Sequence, residues 1–350
     1  MSDSIRILIV TDAWRPQVNG VVRTLETLGQ NLTAIGHEVR YFEPSGFRTV
    51  PCPTYPEIRL ALPTGGKLGR IIEDFRPHAI HIATEGPLGI TARRYCTRHG
   101  LAFTTSFHTR YPEYVHARTR IPTELTYRLL RWFHGPAHRV MVATPSLRDE
   151  LSARGFNHVE LWSRGVNLDL FHPRAKDWLT LPRPIWLYVG RVAVEKNVAA
   201  FLSLDIAGTK LVIGDGPQLD ELRATYPDAV FAGLKFGEDL AKYYAACDVF
   251  VFPSRTDTFG LVIVEALASG IPVAAFPVQG PADIIGDAPV GSLDEDLRAA
   301  AERALQSSDP EACRRHAMRY SWETSARQFL SNLAYQPDRE LVPTDRLATS

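Results

Sequence analysis

Short apolar runs alternate with helix-period segments along this chain, and they do so twice. In the first half the runs are IRILIV (5–10), HAIHIA (78–83), LAFTTS (101–106) and RVMVAT (139–144). Between the first two, GVVRTLETLGQNLTAIG (20–36) carries apolar residues at helical spacing, with Gly36 placed to stop the helix in the left-handed conformation. In the second half IWLYVG (185–190), KLVIGDG (210–216), AVFAG (229–233), VFVFP (249–253) and IPVAAF (271–276) alternate with helices expected near 197–204, 217–225 and 237–246. Runs apolar throughout, rather than at every second position, are strands buried on both faces, and alternation with helices makes their sheets parallel. The pattern predicts two doubly wound α/β domains, whose ligands lie at the carboxyl ends of the strands.

Length and charge agree with two domains. A single core stops growing near about 250–300 residues, and this chain has 350, with 45% hydrophobic and 22% charged residues, which excludes disorder as its theme. The net charge of zero hides an asymmetry: residues 1–176 hold 23 Lys and Arg against 15 Asp and Glu, and residues 177–350 hold 16 against 24. The break falls in FHPRAKDWLTLPRPIW (171–186), whose three prolines read as a linker. The first apolar stretch, Ile5–Val10, is interrupted by Arg6 and ends at Thr11 and Asp12, too short for a signal peptide or a membrane span. Cys52, Cys96, Cys247 and Cys313 form no CxxC pair, which argues against zinc and a disulfide framework and makes a reducing cytoplasm the expected compartment.

The loops expected after strands carry the candidate chemistry. In TDAWRPQVNGVV (11–22), Asn19 and Gly20 open a helix whose backbone N–H groups are expected to be available to an anion. His108 follows LAFTTS, Arg191 and Lys196 follow IWLYVG, and Gly214 and Gly216 follow KLVI. RTDTFGLVIVEALASG (255–270) sets Asp257 and Glu265 eight positions apart around a glycine. With a helix starting at Phe259 or Gly260, the acids span up to about 12 Å. Carboxylates flanking one glycosidic bond are about 5–9.5 Å apart, so this pair is too wide for a hydrolase. It suits a longer ligand, with a diphosphate on the N–H groups of Phe259, Gly260 and Leu261, sugar hydroxyls on Asp257 and ribose hydroxyls on Glu265. That ligand is a nucleotide diphosphate sugar.

GRVAVEKN (190–197), GDGP (214–217) and DTFGLVIVE (257–265), together with the Asn-Gly loop, SFHTRYPEY (106–114) and RGVNLDLFHP (164–173), resemble the ordered motifs of family 4 retaining glycosyltransferases over about residues 5–335. The first-domain motifs are similar to the branch that includes glycolipid-forming and GDP-mannose-dependent α-mannosyltransferases. The resemblance implies an α/β, GT-B fold, two Rossmann-like doubly wound parallel-sheet domains facing each other across a cleft. It implies an N-terminal acceptor-side domain at 1–172 with a returning helix at 322–336, a linker at 173–184 and a C-terminal donor domain at 185–321. PDRELVPTDRLATS (337–350) is expected to be a mobile tail.

By the same resemblance, Arg191 and Lys196 neutralise the diphosphate leaving group without a metal or other cofactor, and His108 contacts the sugar near the reacting carbon. Asp257 grips the sugar, Gly20 admits substrate to the first-domain loop, and the base sits around the GDGP turn. The donor is a UDP- or GDP-sugar, the acceptor a lipid such as diacylglycerol or a glycan, and no nucleic acid is involved. Two positions depart from the family pattern: Asp257 stands for the first Glu of a Glu-x7-Glu pair, and Asn167 for the Asp common after Gly-Val.

Other signals read as structure. GDGPQL has Leu219 where a dinucleotide fingerprint needs its third glycine, and TGGKLGR (64–70) lacks the Ser or Thr of a P-loop. DED (294–296) opens LRAAAERAL, where acids stabilise a helix amino terminus rather than bind metal. An epimerase on the same scaffold and a silent sugar-nucleotide binder remain as alternatives, separated from a transferase by isomer formation without acceptor and by absence of donor turnover. HARTRIPTELTYRLLRWFHGPAHR (116–139) interleaves Arg118, Arg120, Arg128, Arg131 and Arg139 with Leu129, Leu130, Trp132 and Phe133, and Lys67, Arg70 and Arg76 flank Leu68, Ile71 and Ile72. These stretches predict peripheral docking on an anionic membrane surface at its cytoplasmic face.

Overall fold

A computed structural model describes residues 4–17, 19–52, 55–62, 65–307 and 309–336. The expected tail at 337–350 lies outside the described residues. The chain up to Ser163, joined by the chain from Glu323 onward, forms one unit, and Arg164–Trp322 forms the other.

The first unit holds β1 (Arg6–Val10), β2 (Glu38–Phe42), β5 (Ala79–Ile82), β6 (Thr104–Ser106), β7 (Val140–Val142) and β8 (Val159–Leu161) in one parallel sheet of order β2-β1-β5-β6-β7-β8. An antiparallel pair, β3 (Thr49–Cys52) and β4 (Tyr55–Ala61), stands apart from it. Alternate residues of β1 feed opposite faces. Leu8 and Val10 pack with Leu68, Ile72, Leu88 and Ala92, whereas Ile7 and Ile9 pack with Leu25, Leu28, Leu32 and Phe329. Phe329 belongs to the Trp322–Asn332 helix. That helix is tied down by Trp162, which donates to Ser325 Oγ at 3.1 Å, and by Arg139, which donates to the carbonyl of Asn332 at 3.1 Å.

The second unit holds β9 (Ile185–Val189), β10 (Thr209–Ile213), β11 (Val230–Gly233), β12 (Val249–Phe252), β13 (Val273–Ala275) and β14 (Gly291–Leu293), all parallel, in the order β11-β10-β9-β12-β13-β14. This is the doubly wound 3-2-1-4-5-6 arrangement, whose direction reverses between the first and fourth strands. Segment 164–172 packs with the second unit rather than ending the first. Val166 N donates to Tyr320 O at 3.0 Å, and Arg314 donates to Leu168 O at 2.9 Å and Phe171 O at 2.5 Å. The division therefore lies at 163/164 where 172/173 was expected. Asn167 Oδ1 accepts from Asp169 N and Leu170 N at 3.1 and 3.0 Å, a turn-capping task that the Asp common here in the family is equally able to perform. Asp296 caps the Leu297–Gln306 helix through Arg298 N and Ala299 N, and Asp294 is paired with Arg303. Among the described residues no helix is long and apolar enough to cross a membrane.

Candidate functional site

In a doubly wound sheet the loops on either side of the reversal open into a crevice at the strand carboxyl ends. In the second unit these are the loops after β9 and β12, and both sets of candidates sit on them. After β9, Tyr188 Oη donates to Arg191 O at 2.7 Å and fixes the loop. A 3-10 turn, Val194–Lys196, follows and ends at Asn197, which adopts φ 54°. Asn197 Nδ2 donates to Pro253 O at 3.1 Å, and Thr256 Oγ1 donates to Glu195 O at 3.3 Å, so the two loops are stitched together. The stitching brings Lys196 Nζ to 2.5 Å from Asp257 Oδ1. Asp257 Oδ2 is buried and makes no hydrogen bond among the described residues. Arg191 is half-buried on the same loop.

The helix after β12 runs Leu261–Ala268, one residue later than the latest expected start. Gly260 stands at its amino end with φ 93° and ψ 71°, a conformation that a side chain at Cβ disfavours, and no side chain caps the helix. The amides of Phe259, Gly260 and Leu261 thus lie at an uncapped helix start beside the Lys196–Asp257 pair, where anions are stabilised. Gly280 supports the loop from behind. A Cβ there would lie 2.8 Å from Phe259 O and 3.1 Å from Asp257 O. Glu265 is 3% exposed and takes the Tyr244 hydroxyl at 3.1 Å. One oxygen of the carboxylate that sequence reasoning assigned to ribose hydroxyls thus accepts from a phenol of the protein itself.

Gly214 and Gly216 have a second reason to be glycine. Their φ angles are +147° and +156°, and a Cβ would come 1.8 Å from Gly190 O and 2.4 Å from Val192 O respectively. The loops after β9 and β10 touch backbone to backbone, which sequence reasoning read as approach to a ligand.

In the first unit the reversal lies between β1 and β5. Asn19 does not leave the helix start open as expected: its Oδ1 accepts from Val21 N and Val22 N, both at 3.0 Å, so it caps the Gly20–Ala34 helix and occupies two of the amides assigned to an anion. Gly20 is exposed at the first helical position. His108 lies two residues past β6, half-buried, with its ring edge-on to Trp162 at 5.8 Å.

Sequence reasoning missed Asp12. Its carboxylate accepts from Thr84 Oγ1 at 2.9 Å, Leu88 N at 2.8 Å and Gly89 N at 3.2 Å, joining the loop after β1 to the start of the Pro87–Arg98 helix. A carboxylate two residues past a strand was the available signal. Burial pushes its pKa up to about 6 from 3.8, outweighing the amide and hydroxyl bonds that pull it down, and Glu85 adds repulsion. The folded chain thus keeps a proton here between pH about 4 and 6 that the unfolded chain has released. Stability from this group is full below that window and is lost across it as pH rises. The difference between the folded and unfolded values corresponds to about 3 kcal/mol. In urea unfolding, the wild type is expected to lose up to about that much relative to Asp12→Asn between pH 4 and 7. A difference independent of pH contradicts the raised carboxyl.

Two doubly wound units in one chain, the second with cations, a carboxylate and an uncapped helix start gathered at its reversal, form the architecture of a glycosyltransferase. Known proteins narrow this class. Residues 18–170 match the model of Glycosyltransferase Family 4, and residues 183–307 match that of Glycosyl transferases group 1. The chain is 30% identical to the GDP-mannose-dependent alpha-mannosyltransferase of Mycobacterium tuberculosis (strain CDC 1551 / Oshkosh), over 94% of this chain and 96% of that one. It is 27% identical to the alpha-monoglucosyldiacylglycerol synthase of Streptococcus pneumoniae, over 86% and 78%. Sucrose-phosphate synthase from Thermosynechococcus elongatus shares the fold with a TM-score of 0.76 at 22% identity, over 93% of this chain and 98% of that one. The chain belongs to glycosyltransferase family 4.

Proposed function

We propose that this enzyme moves mannose from GDP-mannose, with retention, to a hydroxyl of a lipid or lipid-linked glycan. The observation that carries the reading is the second unit's reversal point, where Lys196, Asp257 and the amides of 259–261 converge on one small region. The GDP-mannose-dependent relative favours this donor, and the diacylglycerol-glycosylating relative favours a lipid acceptor. In this reading the diphosphate rests on the uncapped helix start. Lys196 and Arg191 balance the charge that grows as the bond between C1 and the phosphate oxygen breaks, so no metal or other cofactor is required. Asp257 holds the hydroxyls of the sugar. The acceptor oxygen bonds C1 from the face that the phosphate leaves, and its proton passes to the departing phosphate oxygen.

A panel of GDP-mannose, UDP-glucose, UDP-galactose and UDP-glucuronate, scored by release of free nucleotide, is expected to give turnover with GDP-mannose first. Proton NMR of the first-formed linkage is expected to show the α configuration. Turnover of only the UDP-sugars removes the donor assignment, and a β product removes retention.

A further inference from the structure

Two helices begin in the loops beside the reversal of the first sheet, and the chain closes both starts with its own oxygens. The loops after β1 and β5 flank that reversal, so a ligand of this unit meets them at the strand carboxyl ends. At the Gly20–Ala34 helix Asn19 Oδ1 takes Val21 N and Val22 N, and at the Pro87–Arg98 helix Asp12 takes Leu88 N and Gly89 N. Gly86, just ahead of the second helix, leaves room for this: a Cβ there would lie 2.4 Å from Asp12 Cγ. These amides, which would otherwise hold an anion, are occupied. The second unit differs, since its Leu261–Ala268 helix starts without a side-chain cap.

Glu85, three residues past β5, puts a second carboxylate at the same place. Its side chain is 9% exposed, and its Oε1 is buried without a hydrogen bond among the described residues. His134 Nε2 lies 3.4 Å from that oxygen, and its ring is held through Nδ1, 2.8 Å from Thr105 Oγ1. Repulsion from Glu85 helps to raise the Asp12 carboxyl, so the two acids lie within electrostatic reach of each other. The basic surplus of the first half does not offset them, because its cations are used elsewhere. Arg15 pairs with Glu26, Arg93 donates to the Phe133 and Trp132 carbonyls, and Arg110 pairs with Glu113 and Glu150. Arg131 pairs with Glu124, and Lys67 donates to Gly46 O at 2.7 Å. The side chain of Arg118 lies outside the described residues.

We infer that the acceptor group received by the first unit is an uncharged polyol, a neutral sugar or a glycerol, with Glu85 accepting from its hydroxyls, and that phosphate- and carboxylate-bearing head groups are rejected. An ionised carboxylate only accepts hydrogen bonds, so Glu85 calls for a donor, and the group that a transferase must position is a hydroxyl. An anionic head group would meet Glu85 and Asp12 as like charges, with the nearby helix amides already taken. The inference narrows the acceptor of the proposed transfer and rests on that reading for its purpose, but its test uses no donor.

Full-length protein at pH about 7.5, where Asp12 is ionised, is titrated with methyl α-glucoside against methyl α-glucuronide and with glycerol against glycerol 3-phosphate, followed by saturation-transfer NMR. The neutral member of each pair is expected to bind at least about tenfold more tightly, because the other sets a like charge against a buried carboxylate. Glu85→Gln is expected to bring the members of a pair within about threefold of each other, whereas Glu85→Asp keeps the preference. Asn19→Gly, which a helix start tolerates, frees Val21 N and Val22 N and is expected to raise glycerol 3-phosphate affinity at least about threefold. It serves if Glu85→Gln does not fold. Anionic members that bind as well as the neutral ones overturn the inference, as do a preference that survives in Glu85→Gln, unchanged affinity in Asn19→Gly, and binding of neither pair. GDP affinity is measured in parallel by calorimetry. A wild type that keeps the neutral preference but fails to bind GDP removes the donor reading and leaves this one standing.

Discussion

Lys196→Ala is expected to lower turnover by about 10²–10³-fold, the usual consequence of deleting one group that stabilises developing negative charge. The backbone around it is held without the lysine side chain: Asn197 Nδ2 bonds Pro253 O, and Lys196 N itself bonds Ala193 O. The substitution should therefore delete a charge rather than move a loop. It has a second effect, because Asp257 would keep a carboxylate with Oδ2 buried and lose the cation on Oδ1. Stranding a partly buried carboxylate costs about 1–3 kcal/mol. The two effects separate in Lys196→Ala/Asp257→Asn, where the stability lost in the single variant should return while turnover stays low. Turnover at saturating donor, GDP affinity by calorimetry and urea unfolding of all three variants make the comparison. Near wild-type turnover in Lys196→Ala would show that the diphosphate sits elsewhere.

The Lys196–Asp257 pair also marks the limit of what residue order reveals. Each partner is readable as loop chemistry, because each follows a short apolar run, rich in β-branched and aromatic residues, that reads as a buried strand. Their contact, across 61 positions, is not readable, since it depends on which strands flank the reversal point. Asp12 is the sharper case: its partners are amides 76 and 77 positions away, and no local pattern announces them.

Among strands the division is equally physical. β1, β9, β10 and β12 are interior and largely buried, and each carries a run of at least three consecutive apolar residues. β2, β8 and β14 escaped because they are sheet edges with little or interrupted burial, so EVRYF, VEL and GSL carry no continuous apolar signal. Glycines mislead in another way. GDGP reads as a ligand turn, yet its glycines are already required by contact between two loops of the protein itself.

That contact makes Gly214→Ala a severe substitution although it removes no functional group. The new methyl would sit 1.8 Å from Gly190 O and 2.9 Å from Gly190 C, and both are backbone, so no side chain can swing away to relieve it. The loops cannot part easily either. Gly190 N donates to Ile213 O at 3.0 Å, Val192 N to Asp215 O at 2.9 Å, and Gly214 N to Gly233 O at 3.0 Å. Overpacking and a φ of +147° together should destabilise the second unit by about 3 kcal/mol or more. Chains that still fold would have to shift the loop bearing Arg191 and Lys196, and GDP affinity should fall at least about tenfold with it. Gly233→Ala is the control, with φ +70° and nothing within 4 Å of a new Cβ. It should cost about 1–2 kcal/mol from the left-handed conformation alone and leave GDP affinity unchanged. Urea unfolding and calorimetry on the two variants decide the matter: if Gly214→Ala behaves like Gly233→Ala, the two loops are not packed backbone on backbone.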